Sequence, residues 1–540
     1  MKIHPAVLYI LFFIVSSCAN RVTPTGGEKD IAPPVLVNAE PKNFTTNLTV
    51  KKININFDEY IQLKDANQQI IVSPLMEPAA TFSVKKKTLT IDLPDTLKTN
   101  TTYTINFGGS IADIHEGNEF PYQYVFSTGA VLDSLSITGR ALDALTQTGK
   151  KGVKILLYSS DDDSLPFKHR PDYFALTDDA GNFKISNIGS GVYSIVASDD
   201  KNANYINDGL QNEAISVSRK VNVPDTSVIA LDYFTEPAAK AFIKNISAVA
   251  KGRWDIFFNR RLTSPSLKAT KNTDVFMHEW NSSIDTLMIW SSDSLTDSLT
   301  VLISEAGTPA DTAYIRLKTK SASSVSGRGG AAKVFPFVEN SNTLPALIAG
   351  ADVVLKFINP VISIDTSKIL FTEDSIVKKY IYTFRDSLKR DFHLKYNWQE
   401  EKKYQLKFLP GAVTDFNGRK NDTLVYDFAG KKIAETGSIE FNISGIDTGS
   451  WILQLLTPEF NVITELQTDS AGKYILNFLE PQKLKARLIR DENKNGRWDP
   501  GNYFSKNEPE KIYYYPGEIQ SRANWELELE WKIEIINSKL

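Results

Sequence analysis

Asp491, Asn493, Asn495 and Asp499 cluster around Gly496 in the stretch LIRDENKNGRWDPGNYF, 488–504. Short oxygen-bearing side chains at positions 1, 3, 5 and 9 of a turn, with glycine at 6, form the pattern of a calcium loop. A hard divalent cation needs roughly six to eight oxygens, and alternate residues of a turning backbone can aim theirs inward. Position 12, where a bidentate Glu belongs, is Asn502. Asp200, Asn202, Asn204 and Asp208 repeat the offsets 0, 2, 4 and 8, with Tyr205 in the glycine place and Gln211 at position 12. Two carboxylates per loop make a weak Ca²⁺ site, with Glu508 or Glu213 as candidates to reach in. The same spacing suits an Asx-turn hairpin, in which Asp and Asn side chains bond their own backbone. Both readings stand at this level.

Elsewhere the chemistry is sparse, and the chain reads as a non-enzyme. The histidines (His4, His115, His169, His278, His393) show no HExxH or HxH spacing, and no GxSxG occurs. The single cysteine, Cys18, excludes intramolecular disulfides and thiolate metal clusters. Asp58-Glu59 and the run Asp161–Asp163 read as solvated loops. A glycoside hydrolase with two distant carboxylates is the enzymatic alternative. Trp498, Tyr503, Phe504, Tyr513, Tyr514, Tyr515, Trp525 and Trp531 crowd the C-terminal end. They suit either a carbohydrate or protein contact platform or a sandwich core, and the alternation in NWELELEWKIE favours the core. The Gly-rich run in SASSVSGRGGAAK (321–333) lacks the strand–GK[ST]–helix setting of a phosphate loop.

The elements that must position these residues are strands. Ile53, Ile55 and Phe57 alternate in KKININFDEY, as do Tyr103, Ile105 and Phe107 in TTYTINFGG, Val353, Leu355 and Phe357 in ADVVLKFIN, and Tyr404, Leu406 and Phe408 in KKYQLKFLP. Period two bounded by Gly, Pro, Asn and Asp means half-buried antiparallel strands, and many short ones at regular spacing predict β-sandwiches. A chain of 540 residues with 42% hydrophobic residues can bury several cores. Net charge is −3, with no basic stripe, which argues against nucleic acid as a partner.

Two pairs of internal repeats divide the chain. In 97–129 and 400–430, Tyr103 and Tyr404 stand upstream of Asp113 and Asp415, and each Asp precedes an aromatic, Phe126 or Phe428, by 13 residues. TDDAGNFKI (177–185) matches TDSAGKYIL (468–476), and Asp178 precedes Asp200 by 22 residues, as Asp469 precedes Asp491. The predicted organisation is all-β, a tandem array of about five sandwiches. A signal peptide over 1–17 and a Gly/Pro-rich tether over 18–34 precede modules at 35–130, 131–235, 236–335, 336–432 and 433–540.

Several stretches resemble known families. Val15-Ser16-Ser17-Cys18, behind Lys2 and the apolar run AVLYILFFIV, resembles a bacterial lipobox. The resemblance implies cleavage before Cys18, its acylation and anchoring to a membrane by several acyl chains. TPTGGEKD-x-x-PP is similar to the start of Bacteroidota lipoproteins carrying Ig-like modules. Phe57-Asp58-Glu59, Thr101-Thr102-Tyr103, Asp113 and Gly117-Asn118 resemble the SbsA-type bacterial Ig-like domain. Pro360 fits a second, looser copy, in which Asn417-Gly418 inverts the order. Thr177, Asp178, Gly181, Phe183, Gly191 and Tyr193 resemble the carboxypeptidase-regulatory-like or transthyretin-like sandwich, and Pro481 departs from that pattern in the last module. Recurring Asp-Ser/Thr-apolar triplets, such as 95-DTL, 133-DSL, 374-DSI, 386-DSL and 422-DTL, resemble the O-glycosylation acceptor of Bacteroidota. Together the resemblances imply an outer-membrane lipoprotein with a scaffold, adhesion or protein-binding role, touching an envelope or extracellular protein or glycan. A carbohydrate-binding accessory lipoprotein is the rival expectation.

Overall fold

A computed structural model of the chain describes residues 30–224, 228–250, 252–271, 276–291, 299–315 and 352–534. The signal segment, Cys18, the start of the tether and the 321–333 run lie outside the described residues. The fold is all-β: among the described residues the helical elements are a single turn at Ala66–Gln69 and three short 3-10 turns. Contacts divide the chain into two compact units. The first holds the described residues up to Ala141 with Gly149–Ile206 and Ser218–Leu231; the second holds Leu142–Thr148, Asn207–Val217 and the described residues from Asp232 on.

In the first unit, Ile53 and Ile55 are fully buried and Phe57 nearly so, while the residues between them face outward. Period two therefore becomes one wall of a sandwich. That wall orders Leu36–Glu40, Lys52–Phe57, Thr88–Asp92 and Thr81–Lys85; the facing sheet orders Ile71–Ser73, Thr102–Asn106 and Gln123–Ser127. Each fully buried Ile or Phe stabilises by about 1.5–3 kcal/mol. Tyr103 stacks on Phe126 at 5.3 Å, and its hydroxyl accepts the Lys98 N–H at 2.8 Å. This is a tyrosine tied back to the backbone upstream, a corner device of β-sandwiches.

The fourth sandwich, in the second unit, repeats that plan. Tyr404 pairs in register with Phe428, stacks on it at 5.6 Å and accepts the Gln399 N–H at 2.7 Å. The two repeat Asp residues end equivalent short ribbons, Ile61 opposite Asp113 and Val361 opposite Asp415. With the order inverted to Asn417-Gly418, Gly418 (φ 76°) still supplies the left-handed turn residue, as Gly117 (φ 78°) does in the first copy.

The second pair of repeats shares another plan. In the first unit Lys154–Tyr158 lies between Tyr173–Leu176 and Gly191–Ser198, and the latter also pairs with Arg219–Val223. In the second unit Trp451–Leu456 lies between Val462–Thr468 and Lys483–Arg490, and the latter also pairs with Ile519–Gln520. Each acidic turn follows the equivalent neighbour of that middle strand, after Ser198 or after Arg490. Trp451–Leu456 is buried on both faces. One face packs into the core of its own sandwich with Phe441, Leu488 and Trp531; on the other, Ile452 packs with Ile489 and Ile512 against Leu145, Trp498 and Tyr514.

Candidate functional site

The Asp491 turn is built by its side chains. Asp491 is buried, and its carboxylate accepts the N–H groups of Asn495 (3.0 Å) and Gly496 (2.9 Å) and the Ser450 hydroxyl (3.1 Å). Asn493 Oδ1 takes the Asn495 N–H at 3.1 Å, and Asn495 Oδ1 the Arg497 N–H at 3.1 Å. Both amide NH₂ groups turn to Asp499, Asn493 at 2.5 Å and Asn495 closer still. Gly496 (φ 77°) and Lys494 (φ 59°) carry the left-handed turns. Sequence reasoning chose Glu508 as the extra acid, but Glu508 is exposed and the role falls to Glu510. Glu510 is buried and accepts the N–H groups of Glu492 (2.9 Å) and Asp499 (3.0 Å). Burial, then the neighbouring Asp499 and Asp491 charges, push its carboxyl above the ordinary range, against the pull of those two N–H groups.

The twin turn is made the same way. Asp200 is buried, and its carboxylate accepts the N–H groups of Ala203 and Tyr205, both at 2.8 Å, and of Asn202 at 3.2 Å. Asn202 and Asn204 again accept the N–H two residues on, at 3.1 and 2.7 Å. In the second unit Glu213 accepts the Asp208 N–H at 2.9 Å, the counterpart of Glu510 and Asp499. Glu213 was legible as a candidate; Glu510 was obscured because it follows Asp491 by 19 residues whereas Glu213 follows Asp200 by 13.

A calcium ion here would need the carboxylate and amide oxygens of one loop to converge. In the Asp491 loop the Asn oxygens already accept backbone N–H groups and the amide nitrogens face Asp499. That pattern is a closed Asx ladder. As built, the donor set does not fit the ion without amide rotation.

What the ladder positions is the next residue, Trp498. Its indole N–H donates to Glu510 O at 2.9 Å. Its ring packs against two apolar clusters of the second unit: Ala144, Val217 and Phe234, and Ile452, Ile489 and Ile512 with Leu145 and Tyr514. These cover the outer face of the Trp451–Leu456 sheet. The extra residues of this copy form a tight hairpin, with Asn502 and Asn507 exchanging N–H···O bonds at 2.8 and 3.0 Å. Asn502 Nδ2 (3.1 Å) and the Tyr503 N–H (2.5 Å) both donate to Glu236. Tyr514 OH to Leu145 O (2.9 Å) and Lys511 to Asp232 (3.1 Å) complete the seam. A Cβ on Gly501 would meet the Phe234 ring at 2.5 Å, so only glycine fits there.

A second joint, with no sequence motif to announce it, lies between the third and fourth sandwiches. Arg390 is fully buried, stacks over Trp290 at 4.5 Å, pairs with Glu279 at 2.6 Å and donates to Phe357 O at 3.0 Å. Trp290 Nε1 donates to Ile358 O at 3.0 Å, and Arg253, paired with Asp255 at 2.9 Å, lies over the same ring at 5.5 Å. Of the C-terminal aromatics, Tyr503 and Trp531 are buried, Trp498 lies in the seam, and Phe504 and Trp525 are exposed. Thr96, Ser134, Ser375, Ser387 and Thr423 of the Asp-Ser/Thr triplets are exposed.

Residues 30–128 match the model of a bacterial Ig-like domain. No curated protein matches the chain. Among solved structures, the Bacillus anthracis TIE protein is 10% identical, with 99% of this chain and 79% of that one covered at a TM-score of 0.15. BcpA, the major pilin subunit of Bacillus cereus, is 9% identical over 74% of this chain and 98% of that one, at 0.14. A Bacteroides ovatus mixed-linkage glucan utilization protein, SGBP-B, is 11% identical over 63% and 87%, at 0.18.

Proposed function

We propose that the protein is a non-enzymatic, lipid-anchored scaffold or binding protein of the bacterial cell envelope, held at the outer membrane through acylated Cys18. The observation that carries this reading is where the buried and part-buried polar groups go. Buried Asp491, Glu510 and Arg390, with part-buried Glu236, are the side chains best placed for chemistry by type, and they spend their hydrogen bonds on turns and joints between sandwiches. The bacterial Ig-like match over 30–128 supports the same reading. The modules interlocked within the second unit hold its surfaces at fixed positions, which suits a partner-binding scaffold. In this reading the twin acidic turns are architecture. A carbohydrate platform draws less support, because Tyr503 and Trp531 are buried and Trp498 is committed to the seam.

The test is a cross-linked pull-down from solubilised envelope, with surface-protease accessibility and a Cys18→Ser control. A specific protein partner and loss of the membrane fraction in Cys18→Ser are expected. Recovery of glycan alone, or a soluble wild type, would refute the reading.

A further inference from the structure

The second unit contains a cleft of about 1080 Å³ whose two walls are each fixed. One wall is pinned by Arg260, which pairs with Glu305 at 2.6 and 2.7 Å and donates to Ala238 O and to Ala239 O (3.0 Å), fastening the segment after Glu236. The opposite wall is the 497–502 segment, held by the Asp491 ladder and Glu510. A cleft of this size between two fixed walls lies at the upper end of the range of ligand-binding clefts.

The lining sets the ligand's chemistry. Pro237, Ala238, Pro309, Ala310 and Pro500 give a shallow apolar floor. Each carboxylate in the cleft is already held: Glu236 by Asn502 and Tyr503, Glu305 by Arg260 and the Thr263 N–H, Asp499 by Asn493, Asn495 and Arg497. Lys240 and Arg261 also line the cleft; they are exposed and have no ion-pair partner among the described residues. The unmatched charge at the rim is therefore positive. Trp498 has its indole N–H on Glu510 and its ring in the seam, so a sugar has little aromatic face to stack on.

We propose that this cleft binds an extended acidic peptide segment of a partner protein, with small side chains on the Pro/Ala floor and carboxylates on Lys240 and Arg261. The proposal rests on the binding role argued above. Rim charges of this kind govern encounter and salt dependence.

The test applies the full-length mature chain to an array of short synthetic peptides graded in Asp/Glu content, with polygalacturonate in parallel. The comparison is a Lys240→Glu/Arg261→Glu variant, whose two exposed positions let it fold, as checked by its Tm. Acidic peptides should bind in preference to neutral ones, lose about ten-fold in affinity in the variant, equivalent to about 1.4 kcal/mol, and weaken as salt rises. No preference for acidic peptides, equal binding by the folded variant, or charge-dependent binding of polygalacturonate alone would each overturn it. In the envelope pull-down, a variant that captures the same partner as the wild type shows that the cleft is not the contact while the binding role stands. Absence of any partner for the wild type is instead a failure of the binding role itself.

Discussion

Asp113 illustrates how a buried carboxylate is used to build a turn. Burial pushes the Asp113 carboxyl up, but the N–H groups of Gly117, Asn118, Glu116 and His115 outweigh it and hold it below its ordinary 3.8. A lowered folded value means stability that is present above about pH 4 and lost as pH falls through the lowered value, because the unfolded chain binds the proton first. Asp113→Asn should therefore flatten the acid side of a stability–pH curve measured by urea unfolding, and an unchanged acid limb would contradict the assignment. For the Asp491 and Asp200 ladders, melting in EDTA and in millimolar Ca²⁺ should give the same Tm, since a ligand selective for the folded state must raise it. Arg390→Ala leaves Glu279 without its buried partner and removes the stack on Trp290. A loss of about 3 kcal/mol is expected in urea unfolding of the second unit.

At the scale of elements, the strands and the pairing of repeats were legible because period two and turn residues are local signals. Tyr103 and Tyr404, ten and eleven residues ahead of their Asp partners, mark equivalent strands in the sequence itself. The twin turns were legible as a motif, but their purpose was not. Asx ladders and calcium loops use the same residue types, and what separates them is which atom each amide presents. Glu510 was displaced by the hairpin at 502–507, and Arg390, Trp290 and Glu236 carry no motif because their partners lie far away in sequence. The seam's dependence on one small residue gives a sharp check. Gly501→Ala forces a methyl group into the Phe234 ring and should cost about 1–3 kcal/mol. A neutral Gly501→Ala in thermal unfolding would contradict the packing of Gly501 on Phe234.

For the molecule as a whole, modules act as a scaffold only if they are held to one another. In the second unit the Trp498 seam gathers segments 142–148, 207–217 and 232–236 onto the C-terminal sandwich, and Arg390 locks the third sandwich to the fourth. A string of independent modules, which alternation and repeats alone suggest, would have no such buried joints. Hydrogen exchange on wild type and Trp498→Ala tests this directly. The account predicts that 142–148, 207–217 and 491–510 lose protection together while the core around Phe371, Phe392 and Tyr404 keeps its own. Loss of protection confined to the immediate neighbours of residue 498 would contradict it.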